Sequence, residues 1–78
     1  MSFKLIVVSP EKVVWSGQAL FLTAPGADGE LTVLSQHEPL ITSLKAGKLN
    51  IKGKERTNDI PIAGGVLEVS HNQATVLL

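Results

Sequence analysis

Glycine and proline interrupt this chain so often that a helix has almost nowhere to form. Seven Gly and four Pro are spread through 78 residues, and the longest stretch free of both runs from Val66 to Leu78. A helix of ordinary length needs about 8 to 20 uninterrupted periodic residues. A turn signal at His71-Asn72 divides even that stretch. Between the breaks lie short runs of Val, Ile, Leu and Thr, the pattern of strands bounded by turns.

Taken in order, the runs predict an all-β chain. Phe3, Leu5 and Val7 share one face of a first strand, and Ser9-Pro10-Glu11-Lys12 turns the chain. Val13-Val14-Trp15 reads as a short second strand, stopped by Ser16-Gly17. Ala19 to Ala24 is a third, apolar on both faces and therefore central. Pro25, Gly26 and Gly29 supply turn chemistry, since Pro presets φ and Gly accepts positive φ. Glu30 to Leu34 is a fourth strand with alternating Leu31-Thr32-Val33. The spacing of Leu40, Ile41 and Leu44 fits a helical turn as well as a bent strand, and the sequence does not choose. Lys48-Leu49-Asn50-Ile51-Lys52 alternates cleanly, with Leu49 and Ile51 inward. Gly53 opens a polar hairpin region that reaches Asp59. Pro61, between Ile60 and Ile62, has no N–H for a ladder and predicts an edge strand or a strand start. Gly64-Gly65 predicts a bulge or a close backbone approach. Val66 to Val69 and Ala74 to Leu78 predict a last hairpin turning at His71-Asn72-Gln73. Strands at this spacing belong to a sandwich or barrel, here a single domain over residues 1–78.

Composition narrows the function. The formal charge is zero, which argues against a nucleic-acid partner, and without cysteine there is neither a disulfide framework nor a thiolate metal site. A chain this short buries only about 60% of its unfolded surface, so a partner surface is expected to supply part of its stability. No apolar run approaches the roughly 18 residues needed to cross a bilayer. Leu5 to Val8 is too short for a signal peptide. These features predict a cytosolic protein or a soluble subunit of something larger. The ending Thr75-Val76-Leu77-Leu78 carries no polar cap, as expected if more chain once followed or a domain was excised.

Catalytic chemistry finds little support. His37 and His71 are the two histidines. A zinc site needs three or four ligands, and adjacent His37 and Glu38 on a strand point opposite ways. Ser35 lies near His37 without a nucleophile-elbow pattern, so His37 reads as a loop histidine making polar contacts. Gly26-Ala27-Asp28-Gly29 lacks the Lys-Ser or Lys-Thr of a phosphate loop, and Gly64-Gly65 fails the dinucleotide pattern. Lys45, Lys48, Lys52, Lys54 and Arg56 have no aromatic residue among them for base stacking and read as a solvated edge. Trp15 reads as a core or interface aromatic. The stretch from Thr23 to Thr42 holds Asp28, Glu30, Glu38 and His37 with no Lys or Arg. It points to docking, not catalysis.

Five segments in order carry a family resemblance: SPEKVVWSG at Ser9 to Gly17, APGADGELTVL at Ala24 to Leu34, HEPLIT at His37 to Thr42, LKAGKLNI at Leu44 to Ile51 and IAGGVLEVS at Ile62 to Ser70. With the ending ATVLL they make essentially the whole chain resemble the N-terminal domain of the epsilon subunit of F-type ATP synthases. The resemblance implies a flattened antiparallel β-sandwich of about 8–10 short strands. It implies a non-catalytic place in the central stalk, against the gamma subunit and on the c-subunit ring, coupling ATP synthesis to ion flow. The protein would lie peripherally on the cytoplasmic face of the inner or energy-transducing membrane. His37, Leu40, Ile41 and Thr42 match the region that lies against gamma, and Asp28 and Glu30 the loop that meets the ring. No cofactor, metal or catalytic residue is implied. The family's C-terminal helical hairpin, which carries inhibition and in some members ATP binding, has no counterpart here, so no ATP binding is expected. The chain is then either a naturally minimal epsilon or an excised domain. Ser35-Gln36 stands where the family commonly has Pro-Gly, and Glu38 replaces a small residue, which leaves the geometry of this loop open. Two alternatives stand beside this reading: a lipoyl- or biotinyl-type carrier domain with Lys45 as the attachment lysine, and a small hydrolase using Ser35, His37 and Asp28.

Overall fold

A computed structural model describes residues 1–78 as nine strands: β1 (Phe3–Val8), β2 (Val13–Ala19), β3 (Phe21–Gly26), β4 (Gly29–Leu34), β5 (Leu40–Leu44), β6 (Gly47–Lys52), β7 (Thr57–Ile62), β8 (Gly65–Ser70) and β9 (Gln73–Leu77). They form one hydrogen-bonded sheet that folds over into two layers. One layer has the order β2-β1-β9-β8-β5 and the other β4-β3-β6-β7. The layers join where Gly26 of β3 pairs with Leu44 of β5. Overall extents of 29 × 24 × 19 Å give the flattened shape. All neighbouring pairs are antiparallel except β1 and β9, which run parallel.

Alternation builds the core. Phe3, Leu5 and Val7 of β1, Leu22 and Ala24 of β3, Leu49 and Ile51 of β6, Leu67 and Val69 of β8, and Ala74 and Val76 of β9 are all buried in one cluster. Each pair is spaced by two residues, so one face of each strand turns inward. Each fully buried Leu, Ile or Val contributes about 1.5–3 kcal/mol relative to exposure.

Several boundaries differ from those the sequence predicts. β2 does not stop at Ser16-Gly17 but runs on to Ala19. The Trp15 ring lies over Gly17, where an added Cβ would sit 3.3 Å from it, so the glycine makes room for the indole without ending the strand. The third strand starts at Phe21, because the chain changes layer at Leu20. Pro25 and Gly26 belong to β3 and pair with Glu30 and Gly29, leaving Ala27-Asp28 as the turn. The segment from Leu40 to Leu44 is a strand, paired along its length with β8. β7 begins at Thr57, inside the region read as hairpin, and forms an edge strand with Pro61 in it. Gly64-Gly65 marks the close approach read from the sequence: a Cβ on Gly65 would lie 2.5 Å from the Leu77 carbonyl oxygen.

The register assigns every turn to one of two ends. Residues 27–28, 45–46, 63–64 and 9–12 lie at the Asp28 end, and residues 35–39, 53–56 and 71–72 at the His37 end.

Candidate docking surface

The ladders line up outward side chains into rows. On the four-stranded layer, Thr32, Thr23, Asn50 and Asp59 lie side by side. Their groups satisfy one another: the Thr23 and Thr32 hydroxyls are 3.3 Å apart, and the Asn50 amide donates to Asp59 Oδ1. On the five-stranded layer one outward row is Ser43, Val66, Leu77, Val8 and Val13, and the next is Ile41, Glu68, Thr75, Ile6 and Ser16. Ile41 is 73% exposed, Val13 59%, Leu77 50% and Val66 39%. Towards the His37 end this face becomes polar, with Ser70, Gln73, Lys4 and Gln18 in a row. Contiguous apolar area rimmed by polar residues marks an interaction surface.

The six residues singled out from the sequence occupy three places. Asp28 is exposed in the β3–β4 turn, and Glu30 is exposed on β4 opposite Pro25. His37 is half-buried at the other end. Its backbone N–H donates to the Leu34 carbonyl, and its Nδ1 lies 2.7 Å from the Glu38 carbonyl oxygen. A carbonyl only accepts, so Nδ1 is the donor in this contact. Leu40, Ile41 and Thr42 follow on β5 but alternate: Leu40 and Thr42 stand opposite the buried Val69 and Leu67, whereas Ile41 faces solvent. Leu40 packs on the core. Within this segment the exposed apolar side chain is Ile41.

Four further members of the apolar face, Val8, Val13, Val66 and Leu77, were not singled out from the sequence. The signal was present: once Phe3, Leu5 and Val7 point inward, Ile6 and Val8 must point outward.

The register also tests the alternatives. Asp28 lies at the opposite end from Ser35 and His37, and the Ser35 hydroxyl donates to Asn72, so the three groups of a hydrolase do not meet. The basic residues are strung along β6 from Lys45 at one end to Arg56 at the other, and do not form one patch.

The sequence profile of the ATP synthase delta/epsilon chain β-sandwich domain matches residues 2–78. This chain belongs to that family. It is 43% identical over 74 residues to the ATP synthase epsilon chain of Desulforamulus reducens, covering 95% of this chain and 56% of the relative. With the epsilon chain of Chlorobium limicola it shares 39% identity over 77 residues, covering 97% and 88%. It thus spans about half the length of the Desulforamulus relative and most of the Chlorobium one. Among solved structures, a chain of the Euglena gracilis mitochondrial ATP synthase (OSCP/F1/c-ring) superposes with a TM-score of 0.90 at 19% identity, covering 97% of this chain and 49% of that one. A chain of the Tetrahymena thermophila mitochondrial ATP synthase central stalk and c-ring gives 0.82 at 18% identity, covering 95% and 60%. These two show the family's fold.

Proposed function

We propose that this protein is a non-catalytic rotor subunit of a proton-translocating ATP synthase. It docks on the gamma subunit through the outward face of its five-stranded layer and meets the c-ring through the turn bearing Asp28 and Glu30. The observation that carries this reading is the apolar row from Val66 to Val13 with Ile41 beside it, on the outward face of the five-stranded layer. An interface with an apolar centre and a polar rim matches that layout. Ile41 is the central contact among the four residues from His37 to Thr42, with His37 at the rim. Leu40 and Thr42 support it from within.

Asp28 and Glu30 belong to the β3–β4 hairpin of the four-stranded layer and the apolar row to the five-stranded layer, so one domain has separate surfaces for a ring and for a shaft. Its role is to hold the two together while torque passes between them. It binds no nucleotide and performs no chemistry. It is peripheral to the membrane on the side where the catalytic head sits. Support comes from family membership and from the layout of the two surfaces. The test is co-purification with gamma of the unmodified chain and of Ile41→Asp. Loss of gamma with an unchanged melting temperature supports the reading, and retention of gamma removes it.

A further inference from the structure

The β4–β5 loop, residues 35–39, is tied to the rest of the fold by one side chain. Asn72 Oδ1 accepts the Gln36 backbone N–H at 2.8 Å and the Ser35 hydroxyl at 3.5 Å. Its Nδ2 donates to the Ser2 carbonyl at 3.0 Å. The loop's other hydrogen bonds are local: the His37 N–H reaches Leu34, and the His37 ring reaches Glu38. One carboxamide therefore joins the start of the chain, the β8–β9 turn and the β4–β5 loop, segments 36 and 70 residues apart in sequence. The orientation of the amide is determined, since an N–H must meet its oxygen and a carbonyl its nitrogen.

Two backbone facts make this tie more than one contact among many. Gln36 has φ 64°, the left-handed region that a non-glycine residue enters only at an energetic cost. The N–H held by Asn72 belongs to that residue. Asn72 itself has φ 56° after His71 at 52°, the two positive angles of a primed hairpin turn. Asparagine tolerates this region better than most residues and also carries the carboxamide. Glycine would serve the turn and lose the tie. Aspartate would serve the turn and keep the acceptor for Gln36, but lose the donor to Ser2.

We propose that Asn72 is the positioning residue of the docking loop: it holds Gln36 in its left-handed conformation and so presets His37 at the rim of the gamma-facing surface. This rests on the docking function proposed above. Presetting a loop removes an ordering cost on binding, which affects association more than the lifetime of the complex when the final contacts are unchanged.

The test compares the unmodified chain with Asn72→Gly and Asn72→Asp. Amide hydrogen exchange at Gln36 is read without a partner, and association and dissociation rates are read on immobilised gamma subunit. In Asn72→Gly, Gln36 exchange should rise tenfold or more while core amides such as Leu67 keep their protection. Its association rate should fall about five- to tenfold with dissociation within a factor of two. Asn72→Asp should stay near the unmodified chain in both. Unchanged Gln36 exchange in Asn72→Gly overturns the positioning role. Faster exchange with an unchanged association rate overturns its link to docking. An Asn72→Asp variant as impaired as Asn72→Gly shows that the Ser2 contact is the one that matters, and also overturns it. If the unmodified chain does not bind gamma, the docking function falls, and the exchange data alone uphold or overturn the positioning of Gln36.

Discussion

On the four-stranded layer one outward row is two hydroxyls, an amide and a carboxylate that bond in two pairs, Thr23 with Thr32 and Asn50 with Asp59. On the five-stranded layer the row from Ser43 to Val13 is one serine followed by four apolar side chains. The inward faces of the two layers are alike in being apolar at alternate positions, with Leu22, Ala24, Val33, Leu49 and Ile51 on one and Phe3, Leu5, Val7, Leu67 and Val69 among those on the other. Burial of the core therefore does not explain the contrast. A face that must remain in water is built to satisfy its own polar groups, and a face left apolar is built to be covered.

The contrast breaks most visibly at its apolar side. Ile41→Ser combined with Leu77→Ser should weaken gamma binding about 30- to 100-fold, about 2–3 kcal/mol, with little change in thermal midpoint. Calorimetric titration reads the first and a melting curve the second. Binding that survives both changes would mean that the apolar face serves something else. Trp15→Phe acts on the seam between layers, where the indole Nε1–H of β2 donates to Asn58 Oδ1 of β7 at 3.1 Å. Urea unfolding should show a loss of about 1 kcal/mol with docking intact. A loss of docking instead would extend the partner surface onto the seam. Glu30→Lys should weaken cross-linking to the c-ring by about 1 kcal/mol or less, and less again at high salt. A salt-independent effect would argue against an exposed charge contact. Thr23→Val, in the polar row, should change stability by no more than about 0.5 kcal/mol and leave both partners bound. If it abolished gamma binding, the polar face would be the docking face and the assignment would be reversed.

The same contrast explains what was legible in the sequence. β6 was read cleanly because Lys48, Asn50 and Lys52 face out while Leu49 and Ile51 face in. β5 could not be told from a helical turn because Ile41 is apolar on the outward side, which blurs the period of two. The residue that hid the strand is the one most exposed on the candidate surface. β2 was cut short because Gly17 reads as a breaker, and only the Trp15 ring above it shows why the ladder continues. Of the candidate surfaces, Asp28, Glu30, His37 and Ile41 are residues that the sequence itself points to and that the structure leaves at least partly accessible. The inward turn of Leu40 depends on register, and the rest of the apolar face depends on which strands lie side by side. Neither can be read from one strand alone. The Ser35-Gln36 loop is not legible from its own residues for the same reason, since its conformation rests on Asn72, far along the chain.

The parallel pairing of β1 with β9 has a consequence for how the protein is made. β9 lies between β1 and β8, so the ninth strand to leave the ribosome fills the middle of the larger layer. Until residues 73–77 emerge, β1 and β8 each present an unpaired edge, and Leu5, Val7, Leu67 and Val69 lack their neighbours Ala74 and Val76. Such edges invite pairing with other chains, and closing contacts between distant parts of a sequence is slow. A nascent chain halted at Ser70 is expected to remain open and to need shielding, whereas emergence of residues 71–77 completes β9 and lets the sheet close.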